Sequence, residues 1–179
     1  MLILWIVADV LIAIAAWLAF WVFVSYLVSL SRRQREFVKG KIPSPPPEGF
    51  YKGSAYLLGS GPVPWLGKSF DEANKQGYNI FTRKGASVLK ILSPMYKRFS
   101  VNAEGNTDAY YFKTSTCRGL KDENTEVFKL NYDSPDNPLP IRIILDEMVE
   151  VEPGEFLGKV HVKVFPGYYT TIGFFGLKR

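Results

Sequence analysis

Valine alternates with charged or polar residues in the stretch Lys159-Val160-His161-Val162-Lys163-Val164. Successive side chains of a β-strand point to opposite faces, so the valines share one face and the polar residues share the other. The pattern predicts a strand of an antiparallel sheet with one face toward a core and the other toward water. On this basis we expect His161 to face water.

The chain after this stretch favours closure of the sheet into a barrel. Residues 168–177 are rich in aromatic side chains and include Gly173 and Gly176. Glycine permits the tight curvature that barrel closure requires. A barrel of about eight strands encloses either a filled core or one small apolar ligand.

Other segments have the β-branched and aromatic content of strands and are separated by turn residues. The predicted strands are residues 50–58, 78–82, 95–101, 109–117, 126–132, 140–145, 148–152 and 156–165. Ser69 and Glu72 have capping-box spacing, which predicts a short helix that ends at Gly77. Residues 86–92 fit either a helix or a strand. The predicted fold class is mainly β, an antiparallel barrel with a short helix.

A long apolar segment precedes the barrel. Residues 2–30, LILWIVADVLIAIAAWLAFWVFVSYLVSL, contain only three clearly polar side chains, those of Asp9, Ser25 and Ser29. About 20 apolar residues span the hydrocarbon core of a bilayer, so this segment predicts one transmembrane helix. A cleaved secretory signal is the alternative, but such a signal has cations before a shorter apolar core.

Cations follow the apolar segment at Arg32, Arg33, Arg35, Lys39 and Lys41. Cations concentrate on the cytoplasmic side of membrane helices. We therefore expect a single-pass protein of the inner or plasma membrane, with its N-terminus outside and its barrel in the cytoplasm.

Three residues of the apolar segment have more than one interpretation. Asp9 is expected at the far interface as an N-cap if the span covers residues 10–30, and inside the bilayer, facing a partner helix of a membrane complex or an aqueous path, if the span begins earlier. Trp17 and Trp21 lie in the middle of the segment, where they either contact lipid or bind other subunits of a membrane complex.

The predicted domains are a transmembrane helix over residues 1–31, a basic and proline-rich linker over residues 32–48, and a barrel over residues 49–179. Pro43, Pro45, Pro46 and Pro47 favour a polyproline II conformation, which predicts a stiff spacer of short reach.

The net charge of +5 is a mild basic bias without a nucleic-acid-binding motif. Attraction to anionic membrane lipids explains this charge better than nucleic acid does. Cys117 is the only cysteine, so an internal disulfide is excluded.

Short motifs resemble those of calycin-type barrels, the superfamily of lipocalins, fatty-acid-binding proteins and nitrobindin-like proteins. Gly49-Phe50-Tyr51-Lys52-Gly53 is similar to their Gly-x-Trp-x-Gly opening, with Tyr51 in place of tryptophan, and Trp65-Leu66-Gly67-Lys68-Ser69-Phe70 is similar to a Trp-x-Gly-Lys-x-Phe element of lipocalin-like domains. The resemblance implies a barrel that binds an apolar molecule. The candidate ligand-binding residues are aromatic: Tyr51, Trp65, Phe70, Tyr111 and Phe174.

The sequence gives little support to an enzyme. His161 is the only histidine, so a Ser-His-Asp triad, a Cys-His pair or a His/Cys zinc site has few available residues. Nitrobindin-like barrels have a haem-ligating histidine late in the chain. Here Lys159 and Lys163 share a strand face with His161, so we expect His161 to face water rather than a haem in the cavity. No cofactor is therefore expected.

The adjacent carboxylates Asp146 and Glu147 point to opposite faces of a strand, so they do not form an acid–base pair. A salt bridge from Arg142 across a turn is the expected role of these carboxylates.

Three functions remain, in order of preference. The first is a membrane-anchored binding protein for a lipidic or other apolar small molecule. The alternative is an accessory structural subunit of a larger membrane complex, which docks through the helix and the barrel. Catalysis on a lipidic substrate comes third.

Overall fold

The computed structural model describes residues 2–56 and 64–179, and it divides into two compact units, residues 1–35 and 36–179. The first unit consists of residues of helix α1, which runs over Leu2–Phe37. Its stretch Leu11–Phe37 is long and apolar enough to cross a membrane, and a window of 18 residues within it has a mean hydropathy of 2.3. Asp9 lies within this helix, so the prediction of an N-cap at Asp9 is wrong.

The second unit is a closed antiparallel barrel. Its strands in the described residues are β1 Gly49–Tyr56, β2 Trp65–Asp71, β3 Gln76–Phe81, β4 Ser100–Val101, β5 Thr107–Arg118, β6 Glu126–Asn131, β7 Ile144–Glu152, β8 Glu155–Phe165 and β9 Tyr168–Lys178. The sheet order is β3-β2-β1-β9-β8-β7-β6-β5-β4, and pairing of β3 with β5 closes eight strands into a ring. The predicted eight-stranded antiparallel barrel is confirmed.

Aromatic rings fill one part of the barrel interior. Tyr51, Phe70, Phe112, Phe128 and Phe156 are all buried, and neighbouring rings in this group have centroids 5.1 to 6.2 Å apart. Most of these pairs meet edge to face, an arrangement that aromatic rings favour. This part of the barrel is therefore a packed core.

The helix predicted to begin at Ser69 is absent. Strand β2 continues to Asp71, and a turn leads to β3 at Gln76. Phe70 is buried in the barrel, and its backbone pairs with Gly49 on one side and Gly77 on the other. Pairing with two neighbouring strands and burial of one ring outweigh a capping motif of only four residues.

Two helices occur elsewhere in the barrel unit. Helix α2 spans Arg83–Leu92 and is capped by Thr82, whose side-chain oxygen accepts a hydrogen bond from Gly85 N at 3.1 Å. Helix α3 spans Leu139–Arg142, part of a predicted strand, because Pro140 at the helix start has a fixed φ suited to the first turn. The strand predicted over residues 95–101 is limited to β4.

The chain between α1 and β1 lies against the barrel. Phe37 is fully buried, and Lys41 forms an antiparallel bridge with Glu150. Pro43 and Pro47 are also buried. This segment therefore covers the outer face of the barrel near β7.

Candidate ligand cavity with a buried ion pair

A cavity of about 350 Å³ lies inside the barrel. Its apolar walls include Trp65, Phe81, Val160 and Phe175. Four polar side chains also line it: Lys68, Asn79, Tyr132 and Asp146. The cavity therefore combines an apolar surface with one compact polar cluster.

Two glycines allow the aromatic wall to form. A Cβ atom at Gly53 would lie 2.5 Å from the Trp65 ring, and one at Gly158 would lie 2.0 Å from the Phe175 ring. Trp65 and Phe175 then meet edge to face with centroids 5.9 Å apart. Larger residues at these glycines would force the two rings to move.

Lys68 and Asp146 form an ion pair inside the barrel. Lys68 Nζ lies 3.0 Å from Asp146 Oδ2, and both side chains are 4% exposed. Lys68 Nζ also donates to Asn79 Oδ1 at 2.9 Å and to the Tyr132 hydroxyl. Since an ammonium group has three N–H donors, these three acceptors use all of them.

Asn79 is also fully hydrogen-bonded. Its Oδ1 accepts from Trp65 Nε1 at 3.1 Å as well as from Lys68. Its Nδ2 donates to the Tyr110 carbonyl and to the Tyr132 hydroxyl, both at 3.1 Å. Lys68 and Asn79 lie opposite each other in the β2–β3 register, which brings the two groups together.

One acceptor of this cluster is left open. The Tyr132 hydroxyl donates to Asp146 Oδ2 at 3.2 Å, so that oxygen accepts from both Tyr132 and Lys68. Asp146 Oδ1 is buried and accepts no hydrogen bond. A buried oxygen without a donor destabilises a protein, so Asp146 Oδ1 is the acceptor of this cluster that calls for a partner.

Burial changes the proton affinity of the cluster. It lowers the pKa of Lys68, and the charge of Asp146 acts in the opposite direction. Burial, together with the Asp146 charge, raises the pKa of Tyr132 well above its usual value of 10. The Tyr132 phenol therefore keeps its proton and remains a donor to Asp146.

Tyr110 has a strained backbone beside this cluster. Its φ of 54° is unusual for a residue other than glycine and costs about 1–3 kcal/mol. Two side chains hold this conformation: Tyr110 N donates to the Tyr96 hydroxyl at 2.8 Å, and the Tyr110 carbonyl accepts from Asn79. Burial raises the pKa of Tyr96 to about 12.

The five aromatic residues predicted to bind a ligand do not meet in one place. Trp65 and Phe174 line the cavity, although the Phe174 ring packs against Phe37 with centroids 6.4 Å apart. Tyr51 and Phe70 lie in the packed aromatic core. Tyr111 packs against Tyr78 and against the Arg98 guanidinium.

The prediction from the sequence missed the polar cluster. One signal pointed to Lys68: Leu66, Lys68 and Phe70 alternate along a strand, so an inward Phe70 implies an inward Lys68. No comparable local signal marks Tyr132 or Asp146 as partners of Lys68. Their contacts depend on the register of the closed barrel.

A second buried charged cluster lies on the outer face of the barrel. Val160 lines the cavity, so its neighbours Lys159 and His161 point away from it. His161 is fully buried, with Nε2 3.1 Å from Glu147 Oε2 and Nδ1 3.1 Å from Thr171 Oγ1. The prediction that His161 faces water is therefore wrong.

Other chain segments cover this outer face. Lys159 forms an ion pair with Asp122 and lies 4.1 Å from the centroid of the Phe37 ring. Glu147 Oε1 accepts from Leu120 N at 2.7 Å. The prediction failed because alternation assigns a side chain to a face of the sheet and does not show what covers that face.

Arg142 does not contact either adjacent carboxylate. Its guanidinium forms a salt bridge with Asp133, at an Nη2–Oδ1 distance of 3.0 Å. The predicted salt bridge from Arg142 to Asp146 or Glu147 is wrong because Arg142 ends helix α3, whereas both carboxylates lie on β7. Within residues 2–56 and 64–179, no group of three or more His, Cys, Asp or Glu side chains could hold a metal ion.

Comparison with known proteins gives one distant likeness. No family model matches the chain, and no curated protein matches it. A solved structure described as "Crystal structure of protein from Thermomonospora curvata" aligns with a TM-score of 0.44 and 15% identity, covering 78% of this chain and 79% of that one.

Proposed function

We propose that the barrel binds one small, largely apolar molecule in the 350 Å³ cavity. The observation that supports this proposal is a cavity with aromatic and aliphatic walls and one cluster of polar side chains. Ligand sites in proteins typically have this composition, in which apolar walls supply affinity and a few polar groups fix orientation.

The size of the cavity limits the ligand. Ligand pockets typically enclose about 300–1,000 Å³, so this cavity lies at the small end of the range. Pro64 is exposed, and Leu89 of α2 and Ile141 of α3 are partly exposed. All three residues line the cavity, so they mark where it meets solvent. A compact ring system or a short chain fits better than a whole phospholipid.

The N-terminal helix supports action at a membrane. In this proposal the helix over Leu11–Phe37, which is long and apolar enough to cross a membrane, anchors the chain as a single-pass protein, and Arg32, Arg33 and Arg35 at its end favour a cytoplasmic barrel. An apolar ligand partitions into the bilayer, so an anchored barrel encounters that ligand at high local concentration.

The alternative function is that of an accessory subunit. Trp17, Phe20 and Trp21 are 60%, 59% and 50% exposed, and neighbouring rings meet edge to face. Such an aromatic surface suits packing against another membrane helix. Replacement of both tryptophans by leucine would then release partner chains during purification, whereas a binding barrel would keep its ligand.

Native mass spectrometry of the full chain, purified gently from its own membrane, tests the binding proposal. We expect one small molecule per chain in the wild type. Val160→Phe fills the cavity and should abolish this mass, while the matched change Val164→Phe, at a 46% exposed position of the same strand, should keep it. An empty wild type, or the same bound mass in Val160→Phe, would refute the proposal.

A further inference from the structure

We infer that the ligand is uncharged and donates a hydrogen bond, from a hydroxyl or an N–H group, to Asp146 Oδ1. This inference rests on the proposed function, because it concerns the same cavity. It assigns Asp146 as the residue that determines specificity and names the ligand class as neutral apolar alcohols, phenols or N–H heterocycles.

The hydrogen bonds of the cluster support this assignment. Lys68 uses its three donors on Asp146, Asn79 and Tyr132. Asn79 uses both N–H donors and accepts twice at Oδ1, as described above. Among the described side chains that form this cluster, Asp146 Oδ1 is the acceptor that has no hydrogen-bond partner.

A ligand carboxylate or phosphate does not suit this cavity. Lys68 is the cation of the cluster, and it has no N–H donor left for an anion. An anion near Asp146 would meet a like charge in an apolar environment, where charges interact strongly and desolvation is costly. The cavity therefore discriminates against fatty acids and phosphorylated lipids.

A cationic ligand is also disfavoured. The charge of Asp146 is already balanced by Lys68 at 3.0 Å, so an added ammonium group would leave an unbalanced positive charge in the cavity. Four aromatic rings surround Lys68 Nζ at 4.9 to 5.5 Å and already favour the cation present. A neutral donor satisfies Asp146 Oδ1 without adding charge.

Four naphthalenes substituted at the same ring position test this inference: naphthol, methoxynaphthalene, acetylnaphthalene and naphthoate. Their affinities for the full chain in detergent micelles are measured by isothermal titration calorimetry against empty micelles and against Val160→Phe. A hydrogen bond to a charged acceptor predicts that naphthol binds about 10- to 100-fold more tightly than methoxynaphthalene. Naphthoate should bind most weakly.

Two variants of adjacent carboxylates sharpen the test. Asp146→Asn can keep an oxygen toward Lys68 and Tyr132 and place an N–H group where Oδ1 was, so naphthol should lose its advantage and acetylnaphthalene should gain affinity. Glu147→Gln changes the neighbouring carboxylate, which points away from the cavity, and should keep the wild-type order.

The outcomes separate the inference from the proposed function. Equal binding of naphthol and methoxynaphthalene, with both lost in Val160→Phe, would overturn the donor inference and leave the binding barrel standing. Tightest binding of naphthoate would also overturn the inference. If none of the four compounds binds the wild type, both the donor inference and the proposal that this cavity binds such ligands are wrong. The affinities of the wild type for the four naphthalenes test the inference even if Asp146→Asn fails to fold.

Discussion

Asp146 and Glu147 are adjacent carboxylates on one strand, and their surroundings differ. Both are buried, but Asp146 faces the cavity with Oδ1 unpaired, whereas both Glu147 oxygens are hydrogen-bonded on the outer face. Burial of a charge therefore does not distinguish the two positions. The unpaired oxygen of a cavity-lining side chain does, and we propose that a ligand is its partner.

The outer cluster has a structural role. Glu147 links strand β7 to Leu120 and to His161, and Lys159 links β8 to Asp122 and to the Phe37 ring. These contacts attach the loop after β5 and the end of α1 to the barrel. Changes in this cluster should affect stability and leave ligand selectivity intact.

The largest expected effect is on the inner ion pair. Lys68→Met leaves Asp146 charged and buried without its partner, which typically costs about 3–5 kcal/mol of unfolding free energy. The double variant Lys68→Met with Asp146→Leu removes both charges and should recover most of that loss. Urea unfolding of the full chain in detergent, followed by circular dichroism, measures this cycle together with the single variant Asp146→Leu. A loss in the double variant equal to the sum of the two single losses would show that the pair is not coupled.

The outer cluster should give a smaller loss. Glu147→Leu leaves the buried His161 without its carboxylate partner, which costs about 1–3 kcal/mol, whereas Leu120, the other partner of Glu147, is 37% exposed. Naphthol affinity should stay at the wild-type level. A large loss of naphthol binding in a folded Glu147→Leu protein would contradict the separation of the two clusters.

Gly158→Ala tests the cavity wall. The new Cβ would lie 2.0 Å from the Phe175 ring, so the ring must shift, and overpacking of this kind typically costs about 1–3 kcal/mol. Because Phe175 lines the cavity, naphthol affinity should fall together with stability. The variant Val164→Phe serves as the control, since it adds bulk to the same strand outside the cavity. Unchanged naphthol affinity in Gly158→Ala would show that Phe175 does not contact bound naphthol.

The smallest expected effect is a pH dependence at high pH. The pKa of Tyr132 is raised in the folded state, so above about pH 10 the unfolded chain loses a proton that the folded chain keeps. The unfolding free energy should therefore fall as the pH rises, by up to about 1.4 kcal/mol per pH unit from this group. Lys68, with its lowered pKa, is largely neutral in both states above about pH 11 and adds little there.

The variant Tyr132→Phe provides the comparison for this effect. It lacks the phenol, so its unfolding free energy should fall less steeply between about pH 11 and 12 than that of the wild type. Urea midpoints at several pH values give both slopes. Parallel slopes would mean that Tyr132 has an ordinary pKa in the folded protein.

The barrel could be predicted from the sequence because alternation of side chains is a local property. Lys159 to Val164 and the aromatic final strand gave the correct fold class, and the long apolar helix was evident from composition. The prediction of a helix at Ser69 was wrong because β2 pairs with a strand on each side. Such pairing is not a local property, so a four-residue capping pattern does not reveal it.

The cavity cluster was beyond sequence reasoning because its members are far apart in the chain. Lys68 and Tyr132 are separated by 64 residues, and only the closed register of the barrel brings both to Asp146. Trp65, which was selected for its aromatic ring, lines the cavity, yet the same criterion selected Tyr51 and Phe70, which fill the packed core. Aromatic side chains alone do not distinguish a cavity wall from a filled interior.

A crystal structure of the full chain with bound naphthol tests the central claim most directly. We expect the naphthalene rings to lie between Trp65, Val160 and Phe175, with the hydroxyl oxygen about 2.5–3.0 Å from Asp146 Oδ1. Naphthol on the outer surface, or inside the barrel with its hydroxyl directed away from Asp146, would contradict it.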